Sequence, residues 1–387
     1  MKRLLFLLVT LVLTGLQATA QVKTGDERTD LYLPLLNGKR VALFSNHTGL
    51  AGKQHVLDLL LQNKVNVTAI FSPEHGFRGK ADAGEHVSSS VDPVTGVPIL
   101  SMYDGNKKGP SDESMSKFDV LVMDIQDVGL RYYTYYITMI QLMGHCADKD
   151  KEVVLLDRPN PNGHYVDGPI LDMSLKSGVG GLPIPIVHGM TLGELAQMAN
   201  GEGWINEKKN CCKLTVIPCA NYTHQTFYDL PVAPSPNLPN MTAIYLYAST
   251  CYFEGTDVSL GRGTDKPFQQ YGHPDMGGYA YCFTPTSRDG AKTPPQMDNR
   301  CWGVDLSGLT TQELRAKRID LSYVIDAYHR IHNGKPFFTN FFNLLTGKRE
   351  IQQMIEKGMT AQEISATWKA DVEKFKKQRK PYLLYAE

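Results

Sequence analysis

The 387-residue chain balances 40 Lys and Arg against 40 Asp and Glu, which argues against a nucleic-acid binder, since such proteins show a basic excess. With 42% hydrophobic and 21% charged residues, it is not a disordered acidic tail either. Its length predicts two or three domains, with apolar residues enough for their cores.

Residues 1–20 run in the order of a secretory signal peptide: Lys2 and Arg3, an apolar stretch from Leu4 to Leu13, then the small residues Ala18, Thr19 and Ala20. The apolar core is shorter than the roughly 20 residues a membrane-spanning helix needs, and no Cys follows to take a lipid anchor. The expectation is an exported protein, periplasmic or extracellular, with no stable membrane span. Losing residues 1–20 removes Lys2 and Arg3 and no acid, so 38 basic side chains face 40 acidic ones in the mature chain. Seven cysteines (Cys146, Cys211, Cys212, Cys219, Cys251, Cys282 and Cys301) are an odd number for an exported chain, and no CxxC pair occurs. A zinc ribbon or thioredoxin-type site is therefore not expected. The cysteines read as buried small hydrophobes with at most one bridge.

From residue 39 to about 240, short apolar runs alternate with helical stretches. Arg40–Phe44 reads as a strand ending in a polar turn through Gly49, His55–Gln62 as a helix and Asn66–Phe71 as the next strand. Phe118–Asp124 and Glu152–Asp157 are two more apolar strands closing on an acid, and between them Tyr133, Tyr136, Ile137, Ile140 and Met143 recur at helical spacing. Continuous apolar strands separated by helices predict a parallel sheet covered on both faces. Thr191 and Glu194 stand at capping-box spacing, opening a helix that stops at Gly201. Leu230–Pro239, with four prolines, is too rigid for a central strand, and the domain boundary is placed after it. Beyond it the pattern predicts a helix from Leu321 to His332 and another opened by Thr360 and Glu363 that carries Ile364 and Trp368. The basic run from Lys374 to Lys380 reads as a solvated helix face.

In parallel sheets, ligands bind beyond the carboxyl ends of the strands, and four strand-end loops carry dense polar residues. They hold Glu74, His75 and Arg78; Asp124, Asp127 and Arg131; Asp157; and His188. Paired carboxylates suit glycosidic bond cleavage, one protonating the leaving oxygen and another stabilising the anomeric carbon, attacking it or activating water. Glu74, flanked by Pro73 and His75, is the candidate acid, with a structural ion pair to Arg78 as its plain alternative. Asp124 and Asp127 are candidates for the second carboxylate, and either suffices simply to orient Arg131 or Tyr133. Glu74, His75, Asp124 and His188 are also legitimate ligand types for a divalent metal, but no HExxH or HxH spacing supports one. There is no GxSxG elbow, Walker A sequence or GxGxxG after a strand. Past the boundary, glycines bracket Arg262 in the run Phe253–Phe268, which suits a guanidinium fork on a carboxylate, or a turn-rich interdomain contact. Glu254 in the same run competes for the second carboxylate role.

The motifs SPEHGFRG, DIQDVGLRYYTY, DRPNPNG, HGMTLGELA, APSPNLP and FEGTDVSLGRGTDKPF, in this order along the mature chain, resemble those of the NamZ family of exo-acting β-N-acetylmuramidases, long catalogued only as a domain of unknown function. The resemblance implies release of terminal β-linked N-acetylmuramic acid from the non-reducing end of peptidoglycan fragments, saccharides or muropeptides. It also implies an α/β fold, with a Rossmann-like parallel-sheet catalytic domain over residues 21–240. A smaller C-terminal α/β or α+β domain over 241–387 would complete the cleft. The family's presumed catalytic glutamate falls on Glu74.

N-acetylmuramic acid carries a lactyl carboxylate, which requires a fixed cation; Arg78, Arg131 and Arg262 are the available forks. Tyr132, Tyr133 and Tyr135 suit the sugar face or its acetamido group, and that group can itself serve as the internal nucleophile. The expected catalytic set is thus Glu74, Asp124 and Asp127. The expected substrate-binding set is His75, Arg78, Arg131, Tyr133, Asn160, His188, Asn237 and Arg262, with no metal or cofactor and no nucleic-acid partner. A metal-dependent deacetylase or amidase of wall fragments and a non-catalytic wall-sugar binder are the alternative readings.

Overall fold

The computed structural model describes residues 21–73, 77, 90–100, 102, 109–331 and 334–387. The first half opens with α1 (Thr29–Leu36), β1 (Arg40–Ser45), a small hairpin of β2 (Leu50–Ala51) and β3 (Gln54–His55), α2 (Val56–Gln62) and β4 (Asn66–Phe71). It continues through β5 (Ser90–Val91), β6 (Pro98–Leu100), α3 (Asp112–Ser116), β7 (Val120–Asp124), α4 (Tyr135–Asp148), β8 (Glu152–Leu156), α5 (Leu192–Gly201) and β9 (Lys213–Ile217). Seven of these strands form one sheet in the order β5-β6-β4-β1-β7-β8-β9. All neighbours are parallel except the edge pair β5 and β6. Counting only the parallel strands in chain order gives 3-2-1-4-5-6, the doubly wound Rossmann order, whose direction reverses between β1 and β7. That reversal opens a crevice beyond the carboxyl ends of these two strands, where Ser45 pairs with Asp124.

Alternation along the strands divides the core. Ala42, Phe44, Leu121 and Met123 face one side with Tyr136, Met139 and Leu195 of α4 and α5. Val41, Leu43, Val120 and Val122 face the other with Leu36 and Leu60 of α1 and α2. The capping box forms as expected: Thr191 Oγ1 accepts from Glu194 N, and Glu194 accepts from Thr191 N at 2.9 Å. The helix predicted to begin near Tyr133 begins at Tyr135. The preceding residues are drawn into a bridge between Leu130 and Val187 and a bond from Arg131 N to Ile186 O.

The second half starts with α6 (Met241–Thr250) and a three-stranded antiparallel sheet of β10 (Gln270–His273), β11 (Tyr281–Phe283) and β12 (Cys301–Asp305), in the order β10-β12-β11. Six α-helices follow among the described residues: α7 (Thr311–Lys317), α8 (Ser322–Arg330), α9 (Asn340–Thr346), α10 (Arg349–Glu356), α11 (Ala361–Ala366) and α12 (Lys369–Arg379). The Thr360 and Glu363 box caps α11, but Trp368 lies past the end of that helix and donates to Asp167 at 2.8 Å. The basic run is solvated except at Arg379, which is buried and donates to Gly189 O. The last residues return to the first sheet, where Tyr385 OH donates to Asp157 at 2.6 Å. All seven cysteines are free thiols. Among the described residues, no helix is long and apolar enough to cross a membrane.

Candidate active site

The loops after β1 and β7 are tied together at the crevice. Gln126 N donates to Thr48 Oγ1 at 3.0 Å, and Asn46 Nδ2 donates to Tyr135 OH at 3.1 Å. Tyr133 OH and Tyr135 OH both donate to Pro234 O, at 2.8 and 3.2 Å, which pins the proline-rich segment against two rings that meet edge-on at 4.7 Å. Beside this corner lies a cavity of about 320 Å³. Tyr133, Thr134, Ser235 and Asn237 line it from the first half of the chain, and Tyr247, Glu254, Arg262, Phe268 and Phe341 from the second.

Its charges are a fixed pair. Arg262 Nε and Nη2 donate to Glu254 Oε1 at 2.9 and 2.5 Å, and the guanidinium sits 4.9 Å over the Phe268 ring. Burial alone lowers the pKa of Arg262, but the Glu254 carboxylate outweighs it and holds the guanidinium above its ordinary value. Glu254 engages one edge of the fork and leaves Nη1 for another acceptor. Rings, an amide, a hydroxyl and an oriented cation suit one sugar with an anionic substituent.

Of the expected residues, Tyr133, Asn237 and Arg262 meet at this cavity, together with Glu254. Asn237 is held by its own Nδ2 donating to Gly290 O at 2.8 Å. Others point elsewhere. Asp124 is fully buried, and Arg158 takes both its oxygens, Nε at 2.6 Å and Nη2 at 3.0 Å. Arg158 also reaches Asp26 at 2.5 Å. Burial and then the Asp124 charge push Asp26 up to about 7 against the pull of Arg158. Asp124 is thus held in a buried ion pair and does not line the cavity. Asp157 caps α5, accepting from Thr191 Oγ1 at 2.7 Å and Gly193 N at 2.8 Å, and burial raises it to about 6.

Asp127 accepts from Gly129 N at 2.7 Å, while its buried Oδ2 has no partner among the described residues. Burial raises it to about 7. It borders a void of about 10 Å³ with Asn160 and Met190, not the larger cavity. Asn160 is committed to Met190 O at 2.8 Å and to Asn162 N at 2.8 Å. His188 Nδ1 accepts from Met190 N at 3.2 Å, and burial, then the charges of Arg379 and His224, lower its pKa to about 3, so it stays neutral. Arg131, expected as a carboxylate fork, is fully enclosed, its guanidinium spent on four backbone carbonyls. Glu74, His75 and Arg78 lie outside the described residues. The chain leaves β4 at Phe71 on the carboxyl edge and continues through buried Ser72 and Pro73.

Tyr247, Ser235 and Phe341 also line the cavity, with no signal in the sequence to mark them. Tyr247 sits on α6 among ordinary core residues, and only its position opposite Tyr133 and Phe268, at ring distances of 6.3 and 4.7 Å, makes it a wall of the cavity.

Comparison with known proteins agrees over both halves. Residues 41–242 match the family described as exo-beta-N-acetylmuramidase NamZ, N-terminal, and residues 245–385 match its C-terminal counterpart. The peptidoglycan beta-N-acetylmuramidase NamZ of Bacillus subtilis (strain 168) is 37% identical over 386 residues, covering 94% of this chain and 92% of that protein. A crystal structure of a DUF1343 family protein from Bacteroides fragilis NCTC 9343 is 61% identical, with a TM-score of 0.89 over 95% of this chain and 100% of its own. A second DUF1343 structure from that organism is 26% identical, with a TM-score of 0.76 over 94% and 99% of the two chains. The chain belongs to the NamZ family of exo-beta-N-acetylmuramidases.

Proposed function

We propose that this glycosidase releases N-acetylmuramic acid from the non-reducing end of peptidoglycan fragments, with Glu74 as general acid. The observation that carries the reading is the cavity beside the β1 and β7 crevice. At about 320 Å³ it has room for one amino sugar and little more, which suits removal of a terminal residue over internal cleavage. Arg262, held in plane by Glu254, suits the lactyl carboxylate that separates muramic acid from glucosamine. Tyr133, Asn237 and Phe268 take the remaining faces.

Glu74 comes three positions after Phe71, the end of the strand next to β1, and a general acid must keep its proton near neutral pH for the leaving oxygen. Among the described acids weighed for the second role, Glu254 stands on the cavity wall, whereas Asp124 and Asp127 do not. The second role thus falls to Glu254 or to the acetamido group of the sugar itself. In this account residues 1–20 are a cleaved leader of an exported protein, residues 21–240 form the catalytic domain, and residues 241–387 complete the cleft.

The test is product analysis on two purified glycan fragments, one ending in N-acetylmuramic acid and one in N-acetylglucosamine. The expected result is free N-acetylmuramic acid from the first alone, undiminished by EDTA. Release of acetate, internal cleavage, or activity lost to chelator and restored by a divalent ion would overturn the proposal.

A further inference from the structure

A second cavity, of about 920 Å³, meets the other end of the same proline-rich segment: Pro231 lines it, whereas Ser235 lines the first. Four residues of chain span at most about 14 Å, at roughly 3.3–3.6 Å each, so the two sets of walls come within reach of one short oligosaccharide. The segment between them is held in place, because His47 Nε2 lies 2.9 Å from Ala233 O and both tyrosines bond Pro234 O. Leu50, on the hairpin that follows β1, forms another part of the second wall, which places this cavity at the carboxyl edge of the sheet too.

The chemistry of the two cavities differs. Phe227, with the Arg315 guanidinium 5.7 Å from its ring centroid, keeps 48% of its surface exposed and lines the second cavity with Tyr228, and two such rings suit the C–H face of a sugar. Thr226 adds a hydroxyl. No Lys, Arg or His stands among the described lining residues. The one carboxylate, Glu27, is occupied in a capping box, accepting from Thr24 N at 2.8 Å and Thr24 Oγ1 at 3.1 Å. The lining carries no side-chain cation for the carboxylates of a peptide stem, whereas its rings and hydroxyls suit an uncharged sugar. The first cavity, by contrast, carries the Glu254 and Arg262 pair.

We propose that the second cavity is a leaving-group subsite that binds the uncharged N-acetylhexosamine part of the glycan beyond the scissile bond, while the first cavity holds the carboxylate-bearing terminal sugar. The proposal rests on the activity proposed above and extends it.

The test compares kcat/KM for a peptide-free tetrasaccharide ending in N-acetylmuramic acid with kcat/KM for an aryl glycoside of the same sugar, whose leaving group is a single ring. In the wild type the ratio should favour the tetrasaccharide. In Phe227→Ala it should fall about tenfold, the worth of one aromatic contact, and Phe227→Leu, which keeps an apolar side chain without a ring face, should behave alike. A ratio unchanged in both variants overturns the subsite. A ratio that falls only for stem-bearing muropeptides overturns the uncharged-sugar assignment in favour of the peptide. A wild type inactive on both substrates refutes the underlying activity instead, so the two failures are distinguishable.

Discussion

Arg131 offers the most quantitative test of how the two halves are joined. Nη1 donates to Pro169 O at 2.7 Å and Ile184 O at 3.0 Å, and Nη2 to Leu345 O at 2.9 Å and Thr346 O at 2.8 Å. Two acceptors belong to the first half and two to the end of α9, so one guanidinium staples both. Arg131→Met supplies a side chain of comparable reach with no donors. Ile184 O keeps its bond from Leu171 N at 3.2 Å; the other three carbonyls lose a donor at about 1–3 kcal/mol each, and removing a buried cation returns part of its desolvation cost. The expected net loss is about 3–6 kcal/mol.

Urea unfolding followed by tryptophan fluorescence should show the midpoint fall with little change in slope. Arg131→Lys, with three donors on one nitrogen, should lie between. Gly347 supports the same staple from outside. Its φ is +73°, and a Cβ there would stand 2.5 Å from Arg131 Nη2, so Gly347→Ala should destabilise the protein in the same assay. A wild-type midpoint for Arg131→Met would refute the reasoning. So would an intact fold with a large rise in KM, because that would return Arg131 to the substrate.

Asp127, raised to about 7 by burial, holds a proton in the folded state that the unfolded chain releases above about pH 4. Stability from this group is therefore full below that pH and lost as pH rises to 7, by up to about 4 kcal/mol. Asp127→Asn should flatten the pH dependence of the urea midpoint across that window, and an unchanged slope would contradict the assignment. Arg262→Lys keeps the charge but loses the fork, so KM for a muramic acid glycoside should rise about tenfold with the melting temperature little moved; an unchanged KM would remove Arg262 from carboxylate recognition. Tyr385→Phe deletes a hydroxyl that donates to Asp157 at 2.6 Å and accepts from Cys219 N at 2.8 Å. It should lower stability by about 1–3 kcal/mol without altering KM, and a KM effect would link the chain terminus to the site.

The central sheet was readable because β1, β7 and β8 are continuous apolar runs buried on both faces, and α5 because its capping box is written in two residues. The edge strand β9 was not, since its side chains alternate between exposed and half-buried with one buried end. The antiparallel strands are three to five residues long, with Gly272 and Gly303 inside them, too short for a periodic signal.

At the site, the polar residues of these loops divide: Tyr133, Asn237 and Arg262 line the cavity, whereas Arg131 and Asp124 are turned into buried contacts away from it. What fixes those two is distant: the acceptors of Arg131 lie 38 to 215 positions away, and Arg158 lies 34 from Asp124. A loop sequence states which groups are present, and only packing states which way they turn.

The central claim is that Glu74 protonates the leaving oxygen, and leaving-group dependence in Glu74→Gln tests it most directly. Glutamine preserves shape and hydrogen bonding but has no proton to give. On a glycan fragment, whose sugar leaving group needs protonation, kcat should fall about 10²–10⁴-fold. On an aryl glycoside with an acidic phenol, which departs without assistance, the loss should be much smaller. An equal loss on both substrates, or a near-normal rate on the glycan, would contradict the account.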